Sequence, residues 1–142
     1  INLKETIMKK QVFINLPVAD LKRSMEFYTA LGFQNNPQFT DDTAACMVIS
    51  EEIYVMLLTH EKFSGFIKKE IADTKATAAV INALSLQSND EVNGFMDKAI
   101  AAGGKEPVEA KDYGFMLQRS FEDLDGHLWE VFFMDISKFP IQ

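Results

Sequence analysis

Apolar side chains alternate at Ile14, Leu16 and Val18, and then the period changes. Alternation predicts a strand with one apolar face, and the new spacing of Leu21, Met25 and Tyr28, continued by Leu31, predicts a helix. Asp20 sits where it can cap that helix, and Gly32 supplies a left-handed stop. Three strand-like runs follow, over 34–40, 43–50 and 53–59. The first half therefore reads β-α-β-β-β.

The same order returns in the second half. Leu84 and Leu86 alternate, and Ser88 with Glu91 has the spacing of a capping box, in which each side chain satisfies a free amide at the helix start. Val92, Phe95, Met96 and Ala99 form the expected buried stripe, and Gly103-Gly104 ends the helix. Strand-like runs are predicted over 105–110, 115–122 and 127–134. Leu16-Pro17-Val18 aligns with Leu84-Ser85-Leu86, and Phe27 with Phe95, as in an internal duplication. The predicted organisation is a first module over 8–59, a connecting helix and linker over 60–77, and a second module over 78–136, together one compact domain. Phe63, Phe66, Ile67 and Ile71 give the connector helical spacing with Gly65 as its weak point, and "ADTKATA" reads as linker. "MKKQVFINL" from Met8 reads like a start running into a strand, which makes "INLKETI" an upstream extension.

Composition narrows the function classes. The net charge of −7, with no basic cluster, argues against nucleic acid, because phosphate contacts need concentrated positive charge. No apolar run approaches the roughly 20 residues of a bilayer span. Cys46 is the one cysteine, so no intramolecular disulfide can form; a cytoplasmic location and an inert core thiol are expected. Twelve Phe and seven Met exceed what packing alone requires and suggest an apolar cavity as well as a core, with a core alone as the alternative.

The stretch "FEDLDGHLWEVFF" from Phe121 to Phe133 places one carboxylate, Glu130, within an apolar strand. Together with "INLPVADLKRSMEFYTALGF" it resembles the vicinal oxygen chelate superfamily of glyoxalase I, extradiol dioxygenases and bleomycin-resistance proteins. The first stretch carries the family's strand, aspartate, helix and "FY..LGF" pattern, the second its "D.DG..WE" ending. The resemblance implies an α+β fold of two βαβββ modules that form an incomplete barrel with a central cleft. It also implies a homodimer and, in the enzymes, a divalent metal held by the first and last strand of each module. Those positions fall here on Phe13, Ile81, Val55 (Met56 after a one-residue slip) and Glu130. Only Glu130 is a competent ligand, whereas catalytic divalent sites use about three. No cofactor is therefore predicted, with a divalent metal as the alternative.

Glu130 is the candidate catalytic residue. It is expected to share the cleft with Leu128 and Phe132, and a two-residue turn at Leu124-Asp125 would place Arg119 opposite it as a cross-strand partner. A longer loop would bring Ser120 or Gln118 there instead. Phe13, Asn15, Val55, Ile81, Ser85, Tyr113, Arg119, Leu128, Glu130 and Phe132 are the candidate ligand-binding residues. His127 falls on the opposite face from Glu130 by strand alternation and reads as a structural turn residue. His60 opens the connector as a solvated side chain. The expected function is metal-free binding of a small apolar or planar molecule. The alternatives are a metal-dependent lyase or dioxygenase, and a partner-binding module with a filled cleft.

Overall fold

Two βαβββ modules follow one another along the chain in the computed structural model of the protein, which describes residues 9–139. The reading of "INLKETI" as an upstream extension, and Met8 as a start, lie outside the described residues. The chain divides into two units between Ile71 and Ala72. The fold class is α+β as the sequence predicts, with two four-stranded mixed sheets, neither closed into a barrel. No helix among the described residues is long and apolar enough to cross a membrane.

The first unit holds β1 (Val12–Val18), α1 (Leu21–Ala30), β2 (Gln34–Asn36), β3 (Ala44–Val48), β4 (Ile53–Thr59) and the short α2 (His60–Ser64). Its sheet runs β1-β4-β3-β2, with β1 parallel to β4 and the other pairs antiparallel. Asp20 caps α1 by accepting from the Arg23 amide at 3.1 Å, an interaction that typically stabilises by about 1 kcal/mol. Gly32, with φ +100°, ends the helix in the left-handed region where an L side chain is strained. Phe27, Tyr28 and Leu31 pack against Ala45, Met47, Val55 and Leu57, all buried.

The second unit holds β5 (Ile81–Ser85), α3 (Asn89–Ala101), β6 (Lys111–Asp112), β7 (Met116–Glu122) and β8 (Leu128–Met134), in the order β5-β8-β7-β6. The capping box forms: the Glu91 amide donates to Ser88 Oγ at 3.0 Å, and the Glu91 carboxylate reaches back to the Gln87 amide at 2.8 Å. Val92, Met96 and Ala99 are buried against Phe121, Trp129 and Val131. The Phe121 and Trp129 rings lie parallel with centroids 6.2 Å apart, and Phe95 adds a tilted ring 5.8 Å from Phe121.

Three predicted elements differ, each for a local reason. The run over 34–40 stops as a strand at Asn36, whose side chain accepts from the Gln38 amide and opens a 3-10 turn with Pro37 in its first position. The run over 105–110 contains Pro107, which has no N–H for a ladder; only an isolated Lys105–Glu122 bridge remains of it, and pairing resumes beyond it in the two-residue β6. The connector helix is one turn long and ends at Gly65, leaving Phe66 exposed beside the Lys62 ammonium.

The β7–β8 turn spans Asp123 to His127, longer than the two residues expected. Asp123 Oδ1 accepts from the amides of Asp125 at 2.9 Å and His127 at 2.8 Å, which folds the turn around one buried carboxylate. Gly126 takes φ +87°, and a Cβ there would collide with the Thr74 carbonyl. The Thr74 hydroxyl donates to the Asp125 carbonyl at 2.6 Å, so the 73–77 segment is fastened over this turn.

Candidate functional site

Strand parity assigns the side chains of β8 to two faces. Trp129 and Val131 point to α3 and are buried; Leu128, Glu130 and Phe132 are half-buried on the face turned away from the helix. The five-residue turn sets the register Phe121↔Trp129, Ser120↔Glu130 and Arg119↔Val131. This is one residue away from the pairing a two-residue loop would impose, and a one-residue slip exchanges faces. Arg119 is therefore not the partner of Glu130. Its guanidinium lies on the helix side and grips Glu106 through two bonds of 2.9 Å, with a third to Asn93 at 3.0 Å. The Arg119 hydrogen bond holds the Glu106 carboxyl below the usual glutamate range against the opposing effect of burial, and Glu106 in turn raises Arg119.

Glu130 has a different neighbour. Gln118 Nε2 donates to both of its carboxylate oxygens, at 2.7 Å to Oε2. Ser120 stands directly opposite in the register, and its hydroxyl is sealed from solvent with no hydrogen-bond partner, the one such side-chain atom among the described residues. These groups form the floor of a cavity of about 280 Å³ in the second unit. Ile81, Val108 and Leu128 give it apolar walls, and the 107–109 loop that Pro107 keeps out of the sheet closes one side.

Of the predicted site residues, Ile81, Leu128 and Glu130 come together here, with Arg119 at the margin. Ser85 and Phe132 pair with each other further along the same strands. Tyr113 is exposed in the turn before β7, its ring 6.1 Å from Phe115. Phe13 and Asn15 lie on the open face of the first sheet. Phe13 stacks on Tyr54 with centroids 4.6 Å apart, and Asn15 donates to the Phe13 carbonyl at 3.0 Å. Val55 is fully buried on the helix side, so the counterpart of Glu130 in the first unit is Met56. The registers agree on this, since Asn15↔Met56 corresponds to Ala83↔Glu130 and Phe13↔Tyr54 to Ile81↔Leu128. Gln118 and Ser120 join the site through the corrected register. Val108 carried no periodic signal, because a loop wall has none.

Phenyl, branched alkyl, thioether and one carboxylate occupy the four positions (Phe13, Ile81, Met56 and Glu130) at which the resemblance would place a metal. That set does not fit a catalytic divalent ion, which takes about three protein ligands of N, O or thiolate type. The carboxylate oxygens are already engaged by an amide. Among the described residues no three His, Cys, Asp or Glu side chains gather in a metal-binding group. His127 is buried in the turn, its amide bound to Asp123, and His60 is exposed at the start of α2. Cys46 is buried, and desolvation pushes its thiol up, away from the reactive thiolate.

Comparison with known proteins agrees with this architecture. The family model described as bleomycin resistance protein-like N-terminal matches residues 10–50. A hypothetical protein from S. aureus is 27% identical, with 93% of this chain and 99% of that one covered at a TM-score of 0.75. A glyoxalase-related enzyme from Fulvimarina pelagi shares the fold at 20% identity, covering 95% and 94% of the two chains at a TM-score of 0.76. A fosfomycin resistance protein from Mesorhizobium loti shares it at 11% identity, covering 93% and 98% at a TM-score of 0.67. No curated protein matches the sequence. The fold is that of glyoxalase, bleomycin-resistance and dioxygenase proteins. The fold likeness extends over nearly the whole chain, and the family model falls on the first of the two stretches that carry the resemblance.

Proposed function

We propose that this chain is a glyoxalase/bleomycin-resistance-like protein that has lost the superfamily metal site and binds a small apolar or planar molecule. The observation that carries the reading is the cavity of the second unit: apolar walls over a floor whose single carboxylate is tied to an amide. A few fixed polar groups in an apolar concavity are what a small-molecule site needs. The reading includes a homodimer in the cytoplasm. Supporting it are a lone buried cysteine and the apolar residues Val12, Phe13, Val80 and Ile81, exposed in or beside the edge strands β1 and β5.

Metal analysis after exhaustive dialysis and a thermal-shift screen of small aromatic compounds test it together. The expected result is substoichiometric metal and at least one stabilising compound; at about 100 times its Kd a ligand adds about 2.7 kcal/mol. One equivalent of tightly held transition metal would overturn the metal-free reading. It would select the alternative, a metal-dependent lyase or dioxygenase, which the neighbours described as enzymes favour. No response across a broad library would favour a partner-binding module.

A further inference from the structure

We infer that the cavity takes a neutral planar molecule whose rim carries a hydrogen-bond donor beside an acceptor, as in a lactam. The main chain of Ser120 recognises that pair. The inference rests on the small-molecule reading above. The β7 ladder has one gap. In an antiparallel strand, successive residues turn their N–H and C=O to opposite edges. The Asp123 amide donates to the His127 carbonyl at 3.0 Å and the Asp135 amide to the Phe115 carbonyl at 2.7 Å, so odd-numbered residues of β7 face β8. Even-numbered residues face the outer edge. There Met116 accepts from the Tyr113 amide, Gln118 pairs with Lys111, and Glu122 exchanges two bonds with Lys105. Ser120 points the same way, and among the described residues nothing bonds to its main-chain N–H or C=O.

The cause lies in the segment opposite. Counting on from the Lys105–Glu122 bridge places Pro107 against Ser120, and proline has no N–H to give. Counting back from the Lys111–Gln118 pair places Glu109 there instead. Five residues, 106–110, thus span what three, 119–121, span on β7, and the excess arches out of the ladder. Pro107, Val108 and Glu109 on that arch line the cavity together with Ser120. Ser120 is half-buried while its hydroxyl is sealed, so what it exposes is main chain and Cβ. A main-chain donor and acceptor left unpaired side by side call for a complementary pair. A lactam N–H would donate to the Ser120 carbonyl while its C=O accepts from the Ser120 amide, restoring the rung that Pro107 leaves out. Ile81, Val108 and Leu128 suit its ring, which would lie over the Gln118–Glu130 pair. Glu109 and Glu130 offset Lys111 and Arg119 in the lining. Both Glu130 oxygens are bonded to Gln118 and the Arg119 guanidinium to Glu106, which favours a ligand without charge. A cavity of about 280 Å³ holds one or two fused rings.

The test uses the isotope-labelled full chain, read by two-dimensional amide NMR. In the free protein the Ser120 amide should exchange with deuterium at least about tenfold faster than those of Gln118 and Glu122. The planar lactam 2-quinolone should protect the Ser120 amide and move its proton downfield. It should bind at least about tenfold more tightly than 1-methyl-2-quinolone, which lacks the donor, or indole, which lacks the acceptor. Ser120→Pro removes an amide that the β8 ladder does not use and should abolish the preference for the lactam; a preference that survives it would overturn the inference. Where that variant does not fold, the exchange rates and the ligand ranking carry the test. A Ser120 amide as protected as its neighbours in the free protein would overturn the inference. So would equal binding of the three compounds with the Ser120 amide unmoved, a result that leaves the small-molecule reading standing. Silence from all three compounds would overturn it as well, and the broad screen then decides the small-molecule reading separately.

Discussion

Met56 in the first unit and Glu130 in the second hold the same place in the same strand order, yet they face different surroundings. The correspondence extends across the hairpin. Ala44, Cys46 and Met56 on one sheet occupy the positions of Gln118, Ser120 and Glu130 on the other. In the apolar trio Cys46 is only 2% exposed, and the Phe13–Tyr54 stack lies beside it on the same sheet. The polar trio, flanked by Ile81 and Leu128 instead of stacked rings, leaves a cavity. Backbone frame and register are common to both units; what differs is a handful of side chains on one face.

The two helix-facing cores break the comparison most severely when disturbed. Trp129 and Val55 occupy equivalent, fully buried positions. Trp129→Ala should destabilise by roughly 3–5 kcal/mol. Val55→Ala removes two methyl groups, about 1.6 kcal/mol before any cavity cost. Urea unfolding monitored separately by amide exchange in each unit measures both. Equal losses would mean that the second core does not depend on its tryptophan.

The Arg119–Glu106 bridge is the next lever, because Ala45 takes the equivalent place in the first unit and has no ion pair. Glu106→Gln should cost roughly 1.5–3 kcal/mol near neutral pH. The sign of its pH dependence follows from the lowered Glu106 value: the stabilisation is present above the ordinary glutamate range and is lost as pH falls through the lower folded-state value. In acid, wild type and Glu106→Gln should therefore converge in denaturation midpoint. Parallel curves would assign the bridge no ionic contribution.

Helix caps should show the two units behaving alike. Asp20→Ala and Ser88→Ala each remove one side-chain acceptor from a helix start, and each should cost about 1 kcal/mol. The smallest effect on stability is expected from the most informative change. Converting Gln118, Ser120 and Glu130 together to Ala, Cys and Met copies the first floor onto the second sheet. Removing all partners at once leaves little unsatisfied, so stability should stay within about 1 kcal/mol of wild type. Ligand-induced thermal shifts should disappear. A triple variant that still binds would place the site elsewhere.

Much of this architecture was legible in the sequence, because period and punctuation are local properties. The alternation before Asp20, the stripe after Ser88 and the glycines at 32 and 103 each specify their elements through nearby atoms. The face occupied by Glu130 was legible for the same reason. Its partner was not, since cross-strand pairing depends on how many residues the turn consumes. Asp123 gathers two amides and lengthens the turn, an arrangement no periodicity reveals. Val55 was misplaced through the same kind of one-residue ambiguity. The loop wall at Pro107 and Val108 lay beyond pattern reading altogether, because a strand-like run containing proline declares where it will not pair but not where it will go.

The fastening of Thr74 across Gly126 reaches further than the turn it touches. With a chain lying against that glycine, an extra residue has nowhere to bulge, and one added there would rotate the whole outgoing strand by half a turn. Tryptophan would then face the hollow, and the acid would be driven into the hydrocarbon interior. A stretch that reads as an idle spacer thus acts as a ruler for the hairpin, and cutting it should loosen binding before it loosens the fold.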